Sequence, residues 1–436
     1  MSLKKVLLIT YHWPPMGGGG VQRWLKMSKY LRSYGWEPII FTVSDAEISI
    51  YDESLMKEIP EGIETIKTPI WEPFGVYKKI TGKKKDEKVQ PGLLNEGEGK
   101  EWINNLALWV RGNVFIPDAK RFWIKPASKA LIAYLGENKV DAIVSTGPPH
   151  TTHMIAFNAK RKINIPWLAD FRDPWTFVDY YDKLKLSPYA DKMHHKLEKK
   201  VLNTADKTVT VTWSWAEEFN SRNFDKKVEV ITNGYDPADF EKSGQIKLDE
   251  TFTLTHIGSM NADRNPKVLW PVLKQMSDEN PDFARRLKIK LIGPVDSSIF
   301  KSIEENGLSK NLEHIKNLPH DEVIPHLQSS PVLLLPLNDT PNISGVVPGK
   351  LFEYMGAQRP ILCIGKTDGD AARIIQGANA GDVIDFNESE KLKNVVETMF
   401  GSFESGKLEV ESTDYRKYGR DKLAGEIAEA LNSITA

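Results

Sequence analysis

Short apolar runs alternate with longer stretches whose apolar residues recur every three or four positions, almost from one end of the chain to the other. The runs have the length of buried strands, and the stretches between them have the spacing of amphipathic helices. This alternation is typical of parallel sheets covered by helices. The strands predicted in the first half are Lys5–Thr10, Glu37–Val43, Glu64–Thr68, Asp141–Ser145, Pro166–Asp170, Lys207–Thr212 and Val228–Ile231. Those predicted in the second half are Thr251–Ile257, Leu287–Ile292, Leu312–Ile315, Pro331–Leu337, Pro360–Ile364 and Gly381–Ile384.

The alternation is interrupted twice. An irregular stretch of about 71–126 follows the third predicted strand and is interpreted as an insertion. At Asn233-Gly-Tyr-Asp-Pro237 the alternation stops, and the polar residues that follow indicate a domain boundary. We therefore predict an α/β protein of two facing Rossmann-like domains with an interdomain cleft, where ligands of such sheets bind. The N-terminal domain spans 1–235 and is completed by a C-terminal helix of about 413–436, and the C-terminal domain spans 236–412.

Composition supports an ordinary globular protein. The chain has 436 residues, of which 40% are hydrophobic and 27% are charged, so it is long enough for two or three domains. A net charge of −1 argues against a nucleic-acid partner. The single cysteine, Cys363, lies in an apolar run and is predicted to be a core residue in a reducing cytoplasm. No apolar run is long enough to span a bilayer, so any membrane contact is expected to be peripheral, at the inner face.

The segment Pro348-Gly-Lys-Leu-Phe-Glu-Tyr-Met355 lies between two predicted strands and begins a short helix after a glycine-containing loop. A helix N-terminus attracts anions, and Lys350 adds a full positive charge in the first turn. Glu353 follows within the same turn and is suited to accept hydrogen bonds from ribose or sugar hydroxyls. The alternative is a Lys–Glu pair on the surface of a capped helix.

Arg264 favours the anion site over the surface pair. It lies with Gly258 on the loop after the strand Thr251–Ile257, which belongs to the same predicted sheet as the strand before Lys350. Loops that follow parallel strands meet at one edge of a sheet, so the two cations are expected to converge on one diphosphate. Neutralising the charge of a leaving diphosphate is the chemistry such a pair would supply.

The glycine run Gly17–Gly20 lies between the first strand and the first helix, where backbone N–H groups can approach a phosphate. A dinucleotide fingerprint would need a third glycine where Gln22 or Arg23 stands, and a P-loop would need a following Gly-Lys-Ser/Thr. A flexible turn is the alternative to an anion site. The candidate cleft or acceptor residues here are Gly18, Gly19, Gly20 and Arg23.

Polar residues also follow two further strands. Ser145-Thr-Gly-Pro-Pro-His150 places His150 at the rim of the predicted cleft, as a ligand of donor or acceptor or as a structural histidine. Asp170, Arg172 and Asp173 form either a cleft network or a buried salt-bridge cluster. We do not predict a metal site there, because Arg172 would compete for the carboxylate oxygens. The histidines at 194–195 are interpreted as part of a solvated helix face with Glu198.

The insertion mixes basic and aromatic residues, as in Tyr77–Lys85, Trp102–Trp109 and Arg121–Lys125. Such a mixture suits an anionic membrane surface or a lipid-linked acceptor. The alternative is a lysine-rich loop with aromatic residues packed on the domain.

Taken together, these motifs resemble the retaining glycosyltransferases of family four, which have the GT-B fold of two facing Rossmann-like domains. The resemblance covers nearly the whole chain and depends on the order and spacing of the motifs rather than on any one of them. The motifs are the glycine loop with Val21-Gln-Arg23, Ser145–His150, Ala169–Trp175, Ile231–Asp236, Gly258 with Arg264-Asn-Pro266, and Pro348–Met355.

The resemblance implies residue roles. In such enzymes the second domain binds the nucleotide sugar, so Gly258, Arg264 and Lys350 would lie at the diphosphate and Glu353 at the ribose. The matching glycine loop and His150 would face donor phosphate or acceptor. Arg264, Lys350 and His150 are the catalytic candidates. The resemblance further implies no cofactor and no metal.

One departure concerns an acidic residue that the family often carries upstream, near the donor sugar. Here the matching stretch is Ser344-Gly-Val-Val347, which leaves sugar contacts to backbone groups of Ser344, Gly345 and Val346. The resemblance then implies retention by front-face attack. The expected activity is transfer of a hexose-type sugar from a nucleoside diphosphate to a carbohydrate or lipid-linked acceptor, in bacterial surface polysaccharide or glycoconjugate synthesis. A nucleotide-sugar epimerase or phosphorylase, or a non-catalytic scaffold of this fold, are the alternatives.

Overall fold

The chain forms two α/β units, each built on a parallel sheet. The first unit is Met1–Thr232 with Leu423–Ala436, and the second is Asn233–Lys422. The computed structural model describes residues 3–48, 50–72, 101–178, 181–222, 224–241, 246–316, 318, 320–340, 343–410 and 412–436. The predicted fold class is confirmed by the two parallel sheets.

The first unit has a seven-stranded sheet in the order β3-β2-β1-β4-β5-β6-β7, and neighbouring strands are parallel. Its strands are β1 Lys4–Ile9, β2 Trp36–Val43, β3 Glu64–Thr68, β4 Ala142–Gly147, β5 Trp167–Phe171, β6 Lys207–Thr210 and β7 Val228–Val230. Helices cover the sheet, and β4 and β5 are buried along their whole length. This burial explains why each strand begins with a continuous apolar run, 142–144 in β4 and 167–169 in β5, rather than with alternating residues.

The helices of the first unit follow the strands in the order that parallel connections require. They are Gly19–Leu31, Glu101–Asn113, Ile124–Glu137, Thr151–Ile163, Pro188–Thr204, Trp213–Ser221 and, for most of its length, the terminal helix Arg420–Thr435. The terminal helix buries Leu423, Ile427 and Leu431, which are the apolar positions that its sequence spacing predicts. Gly425 allows it to approach Tyr34, because a Cβ there would lie 2.9 Å from the Tyr34 ring.

The second unit has a six-stranded parallel sheet in the order β10-β9-β8-β11-β12-β13. Its strands are β8 Phe252–Ile257, β9 Leu287–Ile292, β10 Leu312–Ile315, β11 Val332–Pro336, β12 Ile361–Ile364 and β13 Gly381–Ile384. Its helices are Pro237–Glu241, Leu269–Glu279, Pro281–Arg286, Ser297–Glu305, His320–Ser329, Gly349–Gly356, Asp370–Gly377 and Ser389–Glu404. Cys363 is buried in β12, as predicted.

Each sheet reverses its direction of growth at one place. In the first unit this switch point lies between β1 and β4, and in the second between β8 and β11. Loops that leave two adjacent strands in opposite directions open a crevice there, and ligands of open parallel sheets bind in it. The loops after β1 and β4, and those after β8 and β11, therefore border the crevices in which a ligand is expected.

The structure differs from the sequence predictions in two places. The predicted irregular insertion of about 71–126 contains the helix Glu101–Asn113, and its residues 73–100, including the lysine-rich segment, lie outside the described residues. The interpretation of the helix Pro188–Thr204 as a solvated face was wrong for His194 and Glu198, which are buried. No described helix combines the length and the apolar composition needed to cross a membrane.

Gly381 gives a test of the second sheet. Its φ is 149°, and a Cβ there would lie 2.1 Å from the carbonyl oxygen of Ile361 on the neighbouring strand. Backbone of a paired strand cannot move aside, so Gly381→Ala is expected to destabilise the second unit by about 3 kcal/mol. Thermal unfolding should show this as a fall of about 6–12 °C in the Tm of that unit.

Gly401→Ala is the matched control, because this glycine lies inside the helix Ser389–Glu404 and a Cβ there would contact nothing within 4 Å. It is expected to leave stability unchanged or to raise it by about 0.5–1 kcal/mol. Equal Tm values for the two variants would contradict the packing of Gly381 described here.

Candidate functional site

The helix Gly349–Gly356 positions Lys350 at the switch point of the second unit. It begins directly after Pro348 and buries Leu351, Phe352, Tyr354 and Met355 against the unit. Four buried apolar side chains anchor the helix, so the half-buried Lys350 and Glu353 are held on its other face. The local sequence therefore fixes where the two charged side chains point.

Lys350 and Arg264 converge on one backbone oxygen. The Nζ of Lys350 lies 3.5 Å from the carbonyl oxygen of Ser259, and Nη1 of Arg264 lies 3.1 Å from the same atom. Nε of Arg264 donates a hydrogen bond of 2.8 Å to Oδ1 of Asn338, which follows β11. Side chains and backbone from the two loops of the switch point thus bring both cations together, as the sequence predicts.

Gly258 is required for this arrangement. It follows β8 with φ 103°, and a Cβ at this position would lie 2.9 Å from Nζ of Lys350. Any side chain here would strain the backbone and displace the ammonium group. The role of Gly258 at the site is therefore to make room for Lys350.

Sequence reasoning missed His256. This fully buried histidine of β8 has Nδ1 3.0 Å from the carbonyl oxygen of Leu334 and Nε2 3.2 Å from Nζ of Lys350. Burial, and next the charge of Lys350, hold the pKa of His256 well below its usual value, so the ring is neutral. A histidine inside an apolar strand carries no sequence signal of its own, and only the parallel pairing of β8 and β11 shows its contacts.

The cations are poorly solvated. Burial first, and then the charge of the neighbouring Arg264, lower the pKa of Lys350 from 10.5 to about 7, while the charge of Glu353 acts in the opposite direction. Burial also lowers the pKa of Arg264. The carboxylate of Glu353 is half-buried and makes no hydrogen bond or ion pair with any other residue that the structure describes. An anionic ligand would supply the negative charge that would compensate these two cations.

The remaining predicted donor residues lie on the loop that leads from β11 to this helix. Ile343–Gly345 form one short turn of 3-10 helix, and Ser344 packs against Gly369, where a Cβ would lie 3.2 Å from the Ser344 carbonyl oxygen. Val346 closes the turn by donating its backbone N–H to Ile343. The loop is therefore folded against the helix that follows β12.

In the first unit Arg23 and Asp170 form a buried ion pair. Their side chains are 2% and 0% exposed, and Nη2 of Arg23 lies 3.2 Å from Oδ1 of Asp170. Trp24 and Thr146 donate further hydrogen bonds of 2.6 and 2.8 Å to Oδ2 of Asp170. Arg23 also donates to the carbonyl oxygens of Ile231 and Thr232. The structure therefore favours the salt-bridge alternative for these two residues over contact with an acceptor.

Arg172 joins the two loops of the first switch point. Its Nη1 donates a hydrogen bond of 2.7 Å to the carbonyl oxygen of Gly20, and its Nη2 donates to that of Pro148. Its Nε has no hydrogen-bond partner among the described residues, and burial lowers its pKa. Asp173 is half-buried beside it. Arg172 thus fixes the glycine loop against the segment that ends in His150.

The glycine run differs in detail from the prediction. Gly18 has φ 90° and precedes the helix, which already includes Gly19 and Gly20. A Cβ on Gly20 would lie 3.0 Å from the His12 ring. Gly18 is thus needed for its positive φ, and Gly20 is needed for the close approach of the His12 ring.

His150 is held by aromatic stacking. Its ring is parallel to that of Trp175 with centroids 4.6 Å apart, and His153 stacks on Phe171 at 4.3 Å. Nδ1 of His150 and Nε2 of His153 are buried without a hydrogen-bond partner among the described residues. Burial lowers the pKa of both, that of His153 to about 3. His150 is therefore a neutral imidazole beside the loop that follows β4.

His194 is a second residue that the sequence reasoning misassigned. Nε1 of Trp175 donates a hydrogen bond of 3.0 Å to Nδ1 of His194, whose Nε2 lies 3.1 Å from the carbonyl oxygen of Gly112. His194 therefore orients the tryptophan on which His150 stacks. The adjacent His195 is exposed, as a solvated helix face would require.

Solved structures share this architecture over the whole chain. HepE of Anabaena, solved in complex with UDP, superposes with a TM-score of 0.62 at 13% identity, covering 99% of this chain and 100% of its own. A glycosyltransferase from Rickettsia africae ESF-5 gives a TM-score of 0.61 at 14% identity over 100% of this chain and 99% of its own. Sucrose-phosphate synthase from Thermosynechococcus elongatus gives 0.58 at 14% identity over 99% and 98%. At these identities the likeness concerns the fold, which is of the GT-B type.

The family model of Glycosyltransferase Family 4 matches residues 91–239, the part of the first unit that carries β4 to β7, His150 and Arg172. In fold and in this matched segment the chain is similar to GT-B glycosyltransferases of the family 4 type. The resemblance derived from the sequence motifs is confirmed by this match together with the fold. No curated protein sequence matches this chain.

Asp170→Asn tests whether the Arg23 ion pair of the first unit is structural. Removing one charge of a buried pair leaves the other uncompensated, which costs about 3–5 kcal/mol. The variant is expected to lower the Tm of the first unit by about 6–20 °C, at about 2–4 °C per kcal/mol for a unit of this size.

Glu229→Gln is the control, because Glu229 pairs with Lys207 in the same sheet but is 56% exposed. Surface pairs contribute about 1 kcal/mol or less, so the Tm should change little. A stable Asp170→Asn variant that loses only activity would instead favour the other alternative, a cleft or acceptor role for Asp170.

Proposed function

We propose that this glycosyltransferase moves a hexose-type sugar from a nucleoside diphosphate donor to a hydroxyl of a carbohydrate or lipid-linked acceptor, with retention of the anomeric configuration. The observation that carries the proposal is the convergence of Lys350 and Arg264 on the Ser259 carbonyl oxygen at the switch point of the second unit. Two partly desolvated cations with no carboxylate between them suit a diphosphate. Non-catalytic scaffolds have no need of such a pair.

Donor binding is assigned to the second unit. Lys350 and Arg264 contact the diphosphate, and Glu353 accepts hydrogen bonds from ribose hydroxyls. Backbone groups of Ser344, Gly345 and Val346 contact the sugar, since no carboxylate stands in that loop. HepE has been solved with UDP and with UDP-glucose, which makes uridine nucleotides the first donors to test.

Transfer then proceeds by front-face attack. The bond between the sugar C1 and the diphosphate oxygen breaks, and its electron pair leaves with the diphosphate. The acceptor oxygen bonds to C1 on the same face, and its proton passes to the departing phosphate oxygen. Lys350 and Arg264 stabilise the negative charge that develops on the diphosphate, so the reaction proceeds without metal or cofactor.

Acceptor binding is assigned to the first unit, to the loops after β1, β4 and β5. His150, as a neutral imidazole, is placed to donate or accept a hydrogen bond with an acceptor or donor hydroxyl. The first turn of the helix after β1, which begins with Gly19 and Gly20, offers backbone N–H groups in the same unit. Arg172 and Asp173 support these loops, whereas Arg23 and Asp170 act inside the fold.

Peripheral membrane contact is proposed through the insertion. Its described part exposes Leu106 and Trp109 on one helix, and exposed Trp71 packs edge to face against exposed Phe122. Arg121 adds a positive charge beside Phe122. Apolar side chains next to basic ones suit the inner face of a membrane, where lipid-linked acceptors for surface polysaccharide or glycoconjugates lie.

Nucleotide sugars with uridine, guanosine and adenosine bases should be compared for thermal stabilisation and for slow hydrolysis, with and without EDTA. Charge-assisted hydrogen bonds contribute about 1.5–3 kcal/mol, so Lys350→Ala is expected to weaken donor binding about 10- to 100-fold. Glu353→Ala should weaken it less. EDTA should change neither result.

Lys350→Ala should not lower the Tm without ligand, because it removes a partly desolvated ammonium next to Arg264. Glu390→Ala, a change at an exposed residue of the same unit, should retain parental donor binding. The proposed function fails if no nucleotide sugar stabilises the parent protein, or if both site variants bind as tightly as the parent.

Donor affinity is expected to fall as the pH rises above about 7, since the pKa of Lys350 is lowered to about 7. Below this pH the ammonium is already present, and above it binding requires uptake of a proton, at a cost of at most about tenfold per pH unit. Isothermal titration with UDP-glucose is suitable, because its phosphodiesters do not titrate in this range. Lys350→Arg, which stays charged, should flatten the profile; an unchanged slope would exclude Lys350 as its source.

A further inference from the structure

His256 lies where it can control the orientation of Lys350. It stands on β8 next to Leu334 of β11, one residue beyond the paired residues Thr255 and Leu333. Its two ring nitrogens face different partners, the Leu334 carbonyl oxygen at 3.0 Å and Nζ of Lys350 at 3.2 Å. Both contacts are buried or nearly so, which restricts the protonation states that the ring can adopt.

The partners determine the tautomer. A carbonyl oxygen only accepts hydrogen bonds, so Nδ1 of His256 carries the hydrogen and donates to Leu334. Nε2 then holds a lone pair and accepts an N–H of the Lys350 ammonium. Arg264 also faces this region, and its charge together with that of Lys350 opposes a positive ring. A neutral imidazole with its hydrogen on Nδ1 satisfies both contacts. The Ser259 backbone also faces the ring and favours its charged form, but burial and the charge of Lys350 outweigh this effect on the pKa of His256.

Lys350 needs such a partner. A lysine side chain is long and flexible, and its ammonium has three donors. One N–H directed to His256 and one directed to Ser259 leave the third for a ligand, in a fixed direction. Glu353 lies on the same helix as Lys350 and raises its pKa through its charge, but the described contacts of the Lys350 ammonium are with His256 and Ser259, so Glu353 does not replace His256 in this role.

We propose that His256 is a positioning residue that accepts a hydrogen bond from Lys350 and thereby directs its ammonium group at the diphosphate of the donor. The inference depends on the proposed function for the identity of the ligand. It depends on the described geometry alone for the hydrogen bond itself.

Two substitutions separate the contacts of His256. Glutamine places its amide near the position of Nε2 and can accept from Lys350, whereas asparagine reaches only to the position of Nδ1 and can donate to Leu334. If His256 positions Lys350, His256→Asn weakens binding of UDP-glucose about tenfold and His256→Gln stays within about threefold of the parent. If His256 serves only the contact with Leu334, the order of the two variants is reversed.

The pH profile and the kinetics give a readout that a purely structural role would not change. Loss of the Nε2 acceptor disfavours the ammonium, so His256→Asn should shift the midpoint of the affinity profile to lower pH by about one unit. It should change KM for the donor more than kcat, while His256→Gln keeps the parental midpoint. His326→Gln, at a partly exposed histidine of the same unit, is the control and should match the parent throughout.

Nuclear magnetic resonance of ¹⁵N-labelled lysine tests the contact between His256 and Lys350 without any nucleotide. The Nζ signal of Lys350, assigned by its absence in Lys350→Arg, should titrate at lower pH in His256→Asn than in the parent. An identical titration in both proteins overturns the inference. If this shift is found but no nucleotide sugar binds the parent, the positioning contact stands and the proposed function is the part that fails.

Discussion

Two cations held close together and partly out of water are the arrangement on which the candidate site of the second unit depends. Lys350 and Arg264 repel each other and lose hydration, and each effect disfavours the charged form. The protein offsets this cost with neutral acceptors: the Ser259 carbonyl oxygen, Asn338 and the imidazole of His256. Neutral acceptors orient the cations without cancelling their charge. The site therefore retains a strong preference for an anion, which a carboxylate partner would have removed.

The first unit shows the opposite solution. The charge of Arg23 is compensated by Asp170, and Trp24 and Thr146 donate further hydrogen bonds to the Asp170 carboxylate. A pair satisfied in this way stabilises the switch point between β1 and β4 but offers little to a ligand. His150 in the same unit is neutral, and its position depends on stacking with Trp175 rather than on charge.

The periodicity of the sequence predicted both sheets because buried parallel strands are continuous apolar runs and their connections are amphipathic helices. It also predicted that Arg264 and Lys350 meet, since loops after parallel strands share one edge of the sheet. It could not predict His256, because a histidine in a strand has the same sequence environment whether its ring contacts a cation or an apolar neighbour. For the same reason His194 and Glu198, placed by helical spacing on a polar face, were wrongly interpreted as solvated.

The sequence by itself thus determined the fold class, the family resemblance and the convergence of Arg264 and Lys350, because hydrophobic spacing and strand-end position are properties of the chain. Only the tertiary structure decided which polar residues are available to a ligand. Arg23 and Arg172 look alike as basic residues beside loops, yet one is bound to a buried carboxylate and the other connects two backbone carbonyls. Whether a polar side chain is available to a ligand depends on its hydrogen-bond partners. Those partners come from distant segments, and strand order rather than neighbouring sequence brings them close.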